Sequence, residues 1–205
     1  MNVRQMLRRS LKRTANCDKA ESFAWDWHVL RAALVLRRGG VIANPTEAVI
    51  GLAALACDRA AGQRIRVLKR RPRAKPFIVV VAEVEQLNGL VRLPPACRER
   101  ILASWPGPNT WVLPATSRAP RWLVSDAQDM AVRVTAHPQM AALCRLVGPL
   151  VSTSANPAGR RPARTMMAAR SYFRGHVDLY LRGQLGTSKR PTTIRDGRTG
   201  ELLRL

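Results

Sequence analysis

The sequence predicts an α/β fold built on a mixed sheet, and three observations carry that prediction. Short apolar runs of strand length alternate with amphipathic stretches of helical period along most of the chain. No internal repeat or low-complexity tract interrupts the alternation. A length of 205 residues with 46% hydrophobic content is enough to bury one substantial core, so a single folded domain is expected.

Residues 1–22 carry Arg4, Arg8, Arg9, Lys12 and Arg13 with little acid, and they lack the apolar centre of a secretory signal. A frayed basic arm, an organelle transit segment and an over-extended start of translation all fit this composition. The folded domain is therefore set at residues 23–205. From Ala24 to Arg38 the positions Trp27, Leu30, Ala33, Leu34 and Leu36 recur at helical spacing, and Gly39-Gly40 ends that helix. Val41 to Asn44 reads as a strand stopped by Pro45. Arg59 to Arg70 sets Ile65, Val67 and Leu68 among basic residues, a short amphipathic helix that Pro72 forbids from continuing. Its C-terminal end therefore carries Lys69, with Arg71 just beyond.

Phe77 to Ala82 is a buried strand, and Val84 to Val91 and Pro95 to Ser104 are expected helices. Thr110 to Leu113 and Met130 to Val134 follow as strands. Pro138 to Val147 is a helix whose apolar stripe is Met140, Ala141, Leu143 and Cys144. The remaining elements are a strand at Leu150 to Thr153, a helix at Ala163 to Phe173, and a strand at Val177 to Leu181. Short strands at Thr192 to Ile194 and Leu202 to Leu205 close the chain.

Charge is the unusual quantity. Thirty-five Lys and Arg against 13 Asp and Glu leave a net +22, a field that concentrates polyanions such as nucleotides or nucleic acid. Surface arginines that do nothing also account for part of such an excess. Cys17, Cys57, Cys97 and Cys144 are widely spaced, without a C-x-x-C pair. Neither a zinc site nor a disulfide scaffold is indicated, and reduced thiols in a cytoplasmic protein are the simplest reading. No apolar run is long enough to span a bilayer, so no membrane association is expected. The chain contains no G-x-x-x-x-G-K-[ST] and no G-x-G-x-x-G, so a nucleotide would have to be held by another geometry.

Two polar constellations stand out from this background. Lys69-Arg70-Arg71 offers two cations at i and i+2. Ser152-Thr153-Ser154-Ala155-Asn156 offers hydroxyls and an amide directly after the apolar stretch 148–151, at a strand end where α/β folds place ligands. Cations facing such a shelf suit an anionic, nucleotide-like ligand. Taken singly, the basic pair is more often a solvated helix face and the hydroxyl and amide cluster more often a turn.

Four segments in this order resemble the threonylcarbamoyl-AMP synthase family, of the short TsaC/YrdC type. They are 44–52 (Asn-Pro-Thr-Glu-Ala-Val-Ile-Gly-Leu), 68–72 (Leu-Lys-Arg-Arg-Pro), 105–110 (Trp-Pro-Gly-Pro-Asn-Thr) and 150–156. Residues 131–138 and the closing 194–202 are similar as well. The resemblance spans about residues 24 to 205.

It implies an open, twisted mixed sheet with flanking helices and a basic concave face. The implied reaction joins L-threonine, bicarbonate or carbon dioxide, and ATP into threonylcarbamoyl-AMP, releasing pyrophosphate. A tRNA threonylcarbamoyl transferase complex would consume the product at the adenosine beside the anticodon. Lys69 and Arg71 become the expected catalytic cations, and with Ser154 and Asn156 they form the expected ATP site. Thr46, Thr110, Arg133, Ser152 and Thr192 are the expected threonine contacts. ATP is a substrate, and Mg2+ is expected to be held mainly through its phosphates, without a dedicated protein metal site.

The chain also departs from the family pattern. Asn44 and Ile50 stand where aromatics are common, Lys75 replaces a small residue, and Thr192-Thr193 replaces a Ser-Thr-like pair. A second function class stays open here: a non-catalytic protein of the same fold that binds tRNA or double-stranded RNA through its basic surface. Retention of Lys69, Arg71, Ser154 and Asn156 favours the synthase.

Overall fold

Nine strands form one mixed sheet in the computed structural model, which describes residues 26–72, 75–188 and 192–204. The basic arm expected at 1–22 lies outside the described residues. In chain order the elements are α1 (Trp27–Arg37), β1 (Ile42–Pro45), β2 (Ile50–Leu55), α2 (Arg59–Lys69), β3 (Ile78–Val81), α3 (Arg98–Ala103) and β4 (Asn109–Pro114). Then follow β5 (Asp129–Val134), α4 (Pro138–Val147), β6 (Leu150–Ser154), α5 (Met166–Phe173), β7 (Leu179–Tyr180), β8 (Thr193–Asp196) and β9 (Leu202–Arg204).

The strands lie in the order β7-β1-β2-β6-β3-β5-β4-β8-β9. Pairs β7–β1, β3–β5 and β4–β8 are parallel and the others antiparallel, so the sheet is mixed, as the alternating pattern predicts.

Side chains alternate between the two faces, and each face has its own core. Val79 and Val81 of β3 join Phe77, Trp111, Val132 and Val151 on one side. Val80 points the other way, to Leu36 of α1 and Met140, Leu143 and Cys144 of α4. Leu150 belongs to this second core, so alternation directs Ser152 and Ser154 to the face that α1 and α4 cover. Local chemistry fixes the helix ends. Asp58 caps α2 by accepting from Ala61 N at 2.9 Å, and Arg70 turns left-handed at φ 50° to stop it. Pro138 opens α4 and Gly148 closes it at φ 88°.

Four elements differ from the sequence expectation. β2 was not foreseen, because Ile50-Gly51-Leu52-Ala53-Ala54-Leu55 is poor in β-branched residues. It exists through pairing on both sides, with β1 and β6. The expected helix at 84–91 is a single 3-10 turn, Val84–Leu87. That at 95–104 is split into a 3-10 turn and the six-residue α3. The helix expected from Ala163 starts at Met166, because the Ala163 backbone is used elsewhere. Its carbonyl accepts from Ile50 N at 2.8 Å and its N–H donates to Ala155 O at 3.2 Å. Thr165 then caps α5.

Candidate active site

The end of α2 and the end of β6 meet. The Lys69 ammonium donates to the Ser154 carbonyl, to the Asn156 carbonyl at 2.6 Å and to Asn156 Oδ1 at 3.3 Å. Ser154 Oγ donates to the same Oδ1 at 2.6 Å. Asn156 Nδ2 is anchored in turn on Arg160 O at 2.7 Å, and Ala158 N returns to Lys69 O at 2.7 Å. Lys69, Ser154 and Asn156, 85 or more residues apart in part, thus form one network, as expected from the two constellations.

Lys69 is buried at 4% exposure. Burial, and secondarily the Arg71 charge nearby, lower its ammonium from 10.5 to about 7. The three oxygens around Nζ oppose that loss of charge. The ammonium is thus held well below its ordinary range by burial, with its hydrogen bonds directed to Ser154 and Asn156.

Arg71 approaches the same strand one residue away. Its Nη2 donates to Pro76 O at 2.7 Å and its Nη1 reaches Thr153 Oγ1 at 3.4 Å. Its guanidinium carbon lies 5.5 Å from the Phe77 ring centroid, and that of Arg66 lies 4.7 Å from it. Two arginines therefore pack on Phe77 where the chain enters β3, and Arg71 reaches β6 at Thr153.

Next to this network lies the β1–β2 turn. Thr46 Oγ1 donates to Val49 O at 2.7 Å, the cap-like role that a threonine after Pro45 also suggests. Gly51 keeps Thr46 and Ser152 close. A Cβ there would sit 3.0 Å from the Thr46 methyl and 3.4 Å from Ser152 Oγ. Both residues are nearly buried, at 6% and 5%.

Arg133 occupies β5, four places from β1 in the sheet order, yet Glu47 reaches it. Arg133 Nη2 lies 3.3 Å from Glu47 Oε2, and Thr135 Oγ1 donates to Glu47 Oε1. Burial lowers the Arg133 pKa, and the Glu47 carboxylate opposes this. Thr110 of β4 is level with Arg133 across the ladder, one step along from the Trp111–Val132 pair.

Four buried atoms in this part of the sheet have no hydrogen-bond partner among the described residues: Arg133 Nε, Glu47 Oε2, Thr110 Oγ1 and Asn44 Oδ1. Such orphans are expensive unless a ligand satisfies them. Thr192, half-buried, stands just before β8, whose Thr193 donates to Asn109 Oδ1 at 2.8 Å beside Thr110. No hydrogen bond draws Thr192 itself toward the other predicted contacts among the described residues.

Sequence reasoning singled out neither Thr135 nor His137. His137 Nε2 lies 3.0 Å from Gln184 O, and its other nitrogen caps α4. Their place in 131–138, a stretch noted for its resemblance, was the available signal. Elsewhere, a cavity of about 180 Å³ is lined by Ala56, Cys57, Leu90, Leu123 and Met130 with other apolar groups. It contains no predicted site residue. Among the described residues no three His, Cys, Asp or Glu side chains are grouped to hold a metal ion. No described helix is long and apolar enough to cross a membrane.

Comparison with known proteins identifies the family. The Sua5/YciO/YrdC family model, described as telomere recombination, matches residues 34–205. The threonylcarbamoyl-AMP synthase of Halorhodospira halophila is 52% identical over 180 residues, covering 87% of this chain and 94% of the relative. That of Stutzerimonas stutzeri is 46% identical over 180 residues, 87% of this chain and 97% of its own. Among solved structures, P. abyssi Sua5 complexed with L-threonine superposes with a TM-score of 0.77 at 33% identity. The match covers 83% of this chain and 51% of that one, so the chain spans about half the length of that Sua5. E. coli YciO gives a TM-score of 0.77 at 25% identity, covering 86% of this chain and 87% of the other. The sequence motifs, the sheet and these matches converge: the chain belongs to the Sua5/YciO/YrdC family.

Proposed function

We infer that the residues gathered at the ends of α2 and β6 and along β5 form the active site of a threonylcarbamoyl-AMP synthase. The reaction condenses L-threonine, bicarbonate or carbon dioxide, and ATP to threonylcarbamoyl-AMP and pyrophosphate. One observation carries the site assignment: Lys69, Ser154 and Asn156, remote in sequence, share a single hydrogen-bond network.

In this reading Lys69 and Arg71 face the ATP phosphates. The threonine amine becomes a carbamate, whose oxygen attacks the α-phosphorus as pyrophosphate departs. Negative charge grows on the phosphate oxygens, and fixed cations stabilise it most in the transition state. Arg71 can grip two oxygens at once, whereas Lys69 acts as a point charge. Ser154 and Asn156 position the nucleotide by hydrogen bonding. Arg133 takes the threonine carboxylate, and Thr46, Thr110, Ser152 and Thr192 supply polar contacts around the amino acid. A hydroxyl-bearing substrate is selected well by buried polar groups, because an analogue lacking the hydroxyl leaves them unpaired.

Magnesium belongs to this reading as an ion carried by the phosphates. The donor set agrees, since the Glu47 carboxylate beside the site is committed to Arg133 and Thr135. When bound, the ion neutralises phosphate charge. The product is passed to a tRNA threonylcarbamoyl transferase complex, in the cytoplasm. The net charge of +22 supports RNA association as a further property of the same molecule. The synthase domain of this reading spans residues 23–205.

The test is pyrophosphate release from ATP that depends on both threonine and bicarbonate. Lys69→Ala and Arg71→Ala each lower that turnover by about 100-fold or more, the scale seen when a transition-state charge partner is removed, while circular dichroism keeps the folded spectrum. Unchanged turnover in either variant overturns the assignment of that residue.

A further inference from the structure

We propose that Glu47 is a positioning residue for the amino-acid half of the site, holding Arg133 in the orientation from which its guanidinium takes the substrate carboxylate. The inference rests on the assignment of Arg133 to threonine and extends it to a residue that would not itself touch substrate.

Glu47 is 6% exposed and Arg133 4%, so each charge needs a partner inside the protein. The carboxylate divides its two oxygens: Oε1 accepts from Thr135 Oγ1 and Oε2 lies 3.3 Å from Arg133 Nη2. The Thr135 bond fixes the carboxylate, and the carboxylate then fixes one end of the guanidinium. The ion pair is a charge contact rather than an aligned fork, because Glu47 Oε2 and Arg133 Nε both lack a hydrogen-bond partner. One edge of the guanidinium is therefore left for a ligand, beside the unpartnered Thr110 hydroxyl. A carboxylate next to a hydroxyl is the chemistry that would satisfy both.

Backbone contacts keep Glu47 in this position. Gly186 N donates to Thr46 O at 2.9 Å and Ser188 N to Glu47 O at 3.1 Å. Gly186 packs so closely that a Cβ there would lie 2.8 Å from both Cα and O of Glu47. A turn at one side of the sheet is thus fastened across to β5, and the fastening ends on Arg133.

The experiment compares Glu47→Gln, Thr135→Val and Arg133→Lys in steady-state assays with L-threonine and ATP, with L-threoninol as an inhibitor that lacks the carboxylate. Glu47→Gln is expected to raise the KM for threonine about tenfold while the KM for ATP stays within about twofold. Its discrimination between threonine and threoninol should fall by a similar factor. Thr135→Val should shift the threonine KM in the same direction by less, and Glu47→Asp should recover part of the loss. In an Arg133→Lys background Glu47→Gln should add nothing further, as expected for two residues acting as one unit.

A normal threonine KM in Glu47→Gln, with a raised one in Arg133→Lys, overturns this proposal alone. A normal threonine KM in Arg133→Lys overturns the assignment beneath it. Parallel loss of both affinities together with lowered thermal stability would mark Glu47 as structural only, which also overturns the proposal. Should Glu47→Gln fail to fold, Thr135→Val keeps the ion pair and provides the same reading.

Discussion

Lys69 sits between two opposing demands, and the balance sets its pH behaviour. Burial and the Arg71 charge lower its pKa to about 7, well below the 10.5 of an unfolded chain. The ligand-free protein therefore loses this charge as pH rises through about 7, and ATP, a polyanion, should restore it if bound at the proposed site. Calorimetry at pH 7.5 in buffers of different ionisation heat should show proton uptake on ATP binding, abolished in Lys69→Arg. Binding heats that do not vary with buffer would contradict this. The linkage for stability has the opposite sense. Between about 7 and 10.5 the unfolded chain holds the proton that the folded chain has released, so this residue's contribution raises stability with pH across that window.

The joining of Lys69, Ser154 and Asn156 was legible in the sequence, because a helix stopped by Pro72 and a strand ending in hydroxyls leave those groups at element ends. The reach of Glu47 to Arg133 was not. Nothing in local spacing tells that a turn after β1 approaches a strand four places away. Arg71 shows a finer limit: its proximity was foreseen, but its hold on Pro76 and its place over Phe77 depend on the path of the loop.

At the scale of elements, α2 matters because it carries Lys69 at one end and its cap, Asp58, at the other. Asp58→Ala removes the bond to Ala61 N and should cost about 1 kcal/mol. That corresponds to a melting temperature lower by about 2–4 °C for a chain of this size, measured by thermal denaturation. No change would mean that water replaces the cap. Helices with strong punctuation were read correctly. Pro138 at its first turn and Gly148 past its last made α4 visible from end to end. Elements set by neighbours rather than by their own residues were not. The alanine-rich β2 owes its extended form to β1 and β6, and the start of α5 was delayed because Ala163 bonds to Ile50 and Ala155. Tertiary pairing overrides weak local preference in both cases.

For the whole molecule, the proposed site draws on several strands of the sheet, so substrate binding there should stabilise the entire fold. With ATP at about 100 times its dissociation constant, the gain should be about 2.7 kcal/mol, read as a rise in melting temperature, and larger when threonine is added. A melting temperature indifferent to both ligands would argue against a preformed site. The fold class was legible because the alternation of apolar runs spans the chain, whereas the order of the nine strands required pairings that no local pattern encodes.

The borders of the sheet have a consequence of their own. Its outermost members, β7 and β9, are two and three residues long. A stranger chain seeking to extend the ladder finds almost no rail on either side, and the surplus of positive charge repels a second copy. Among the described residues, both borders therefore offer little backbone for edge-to-edge growth.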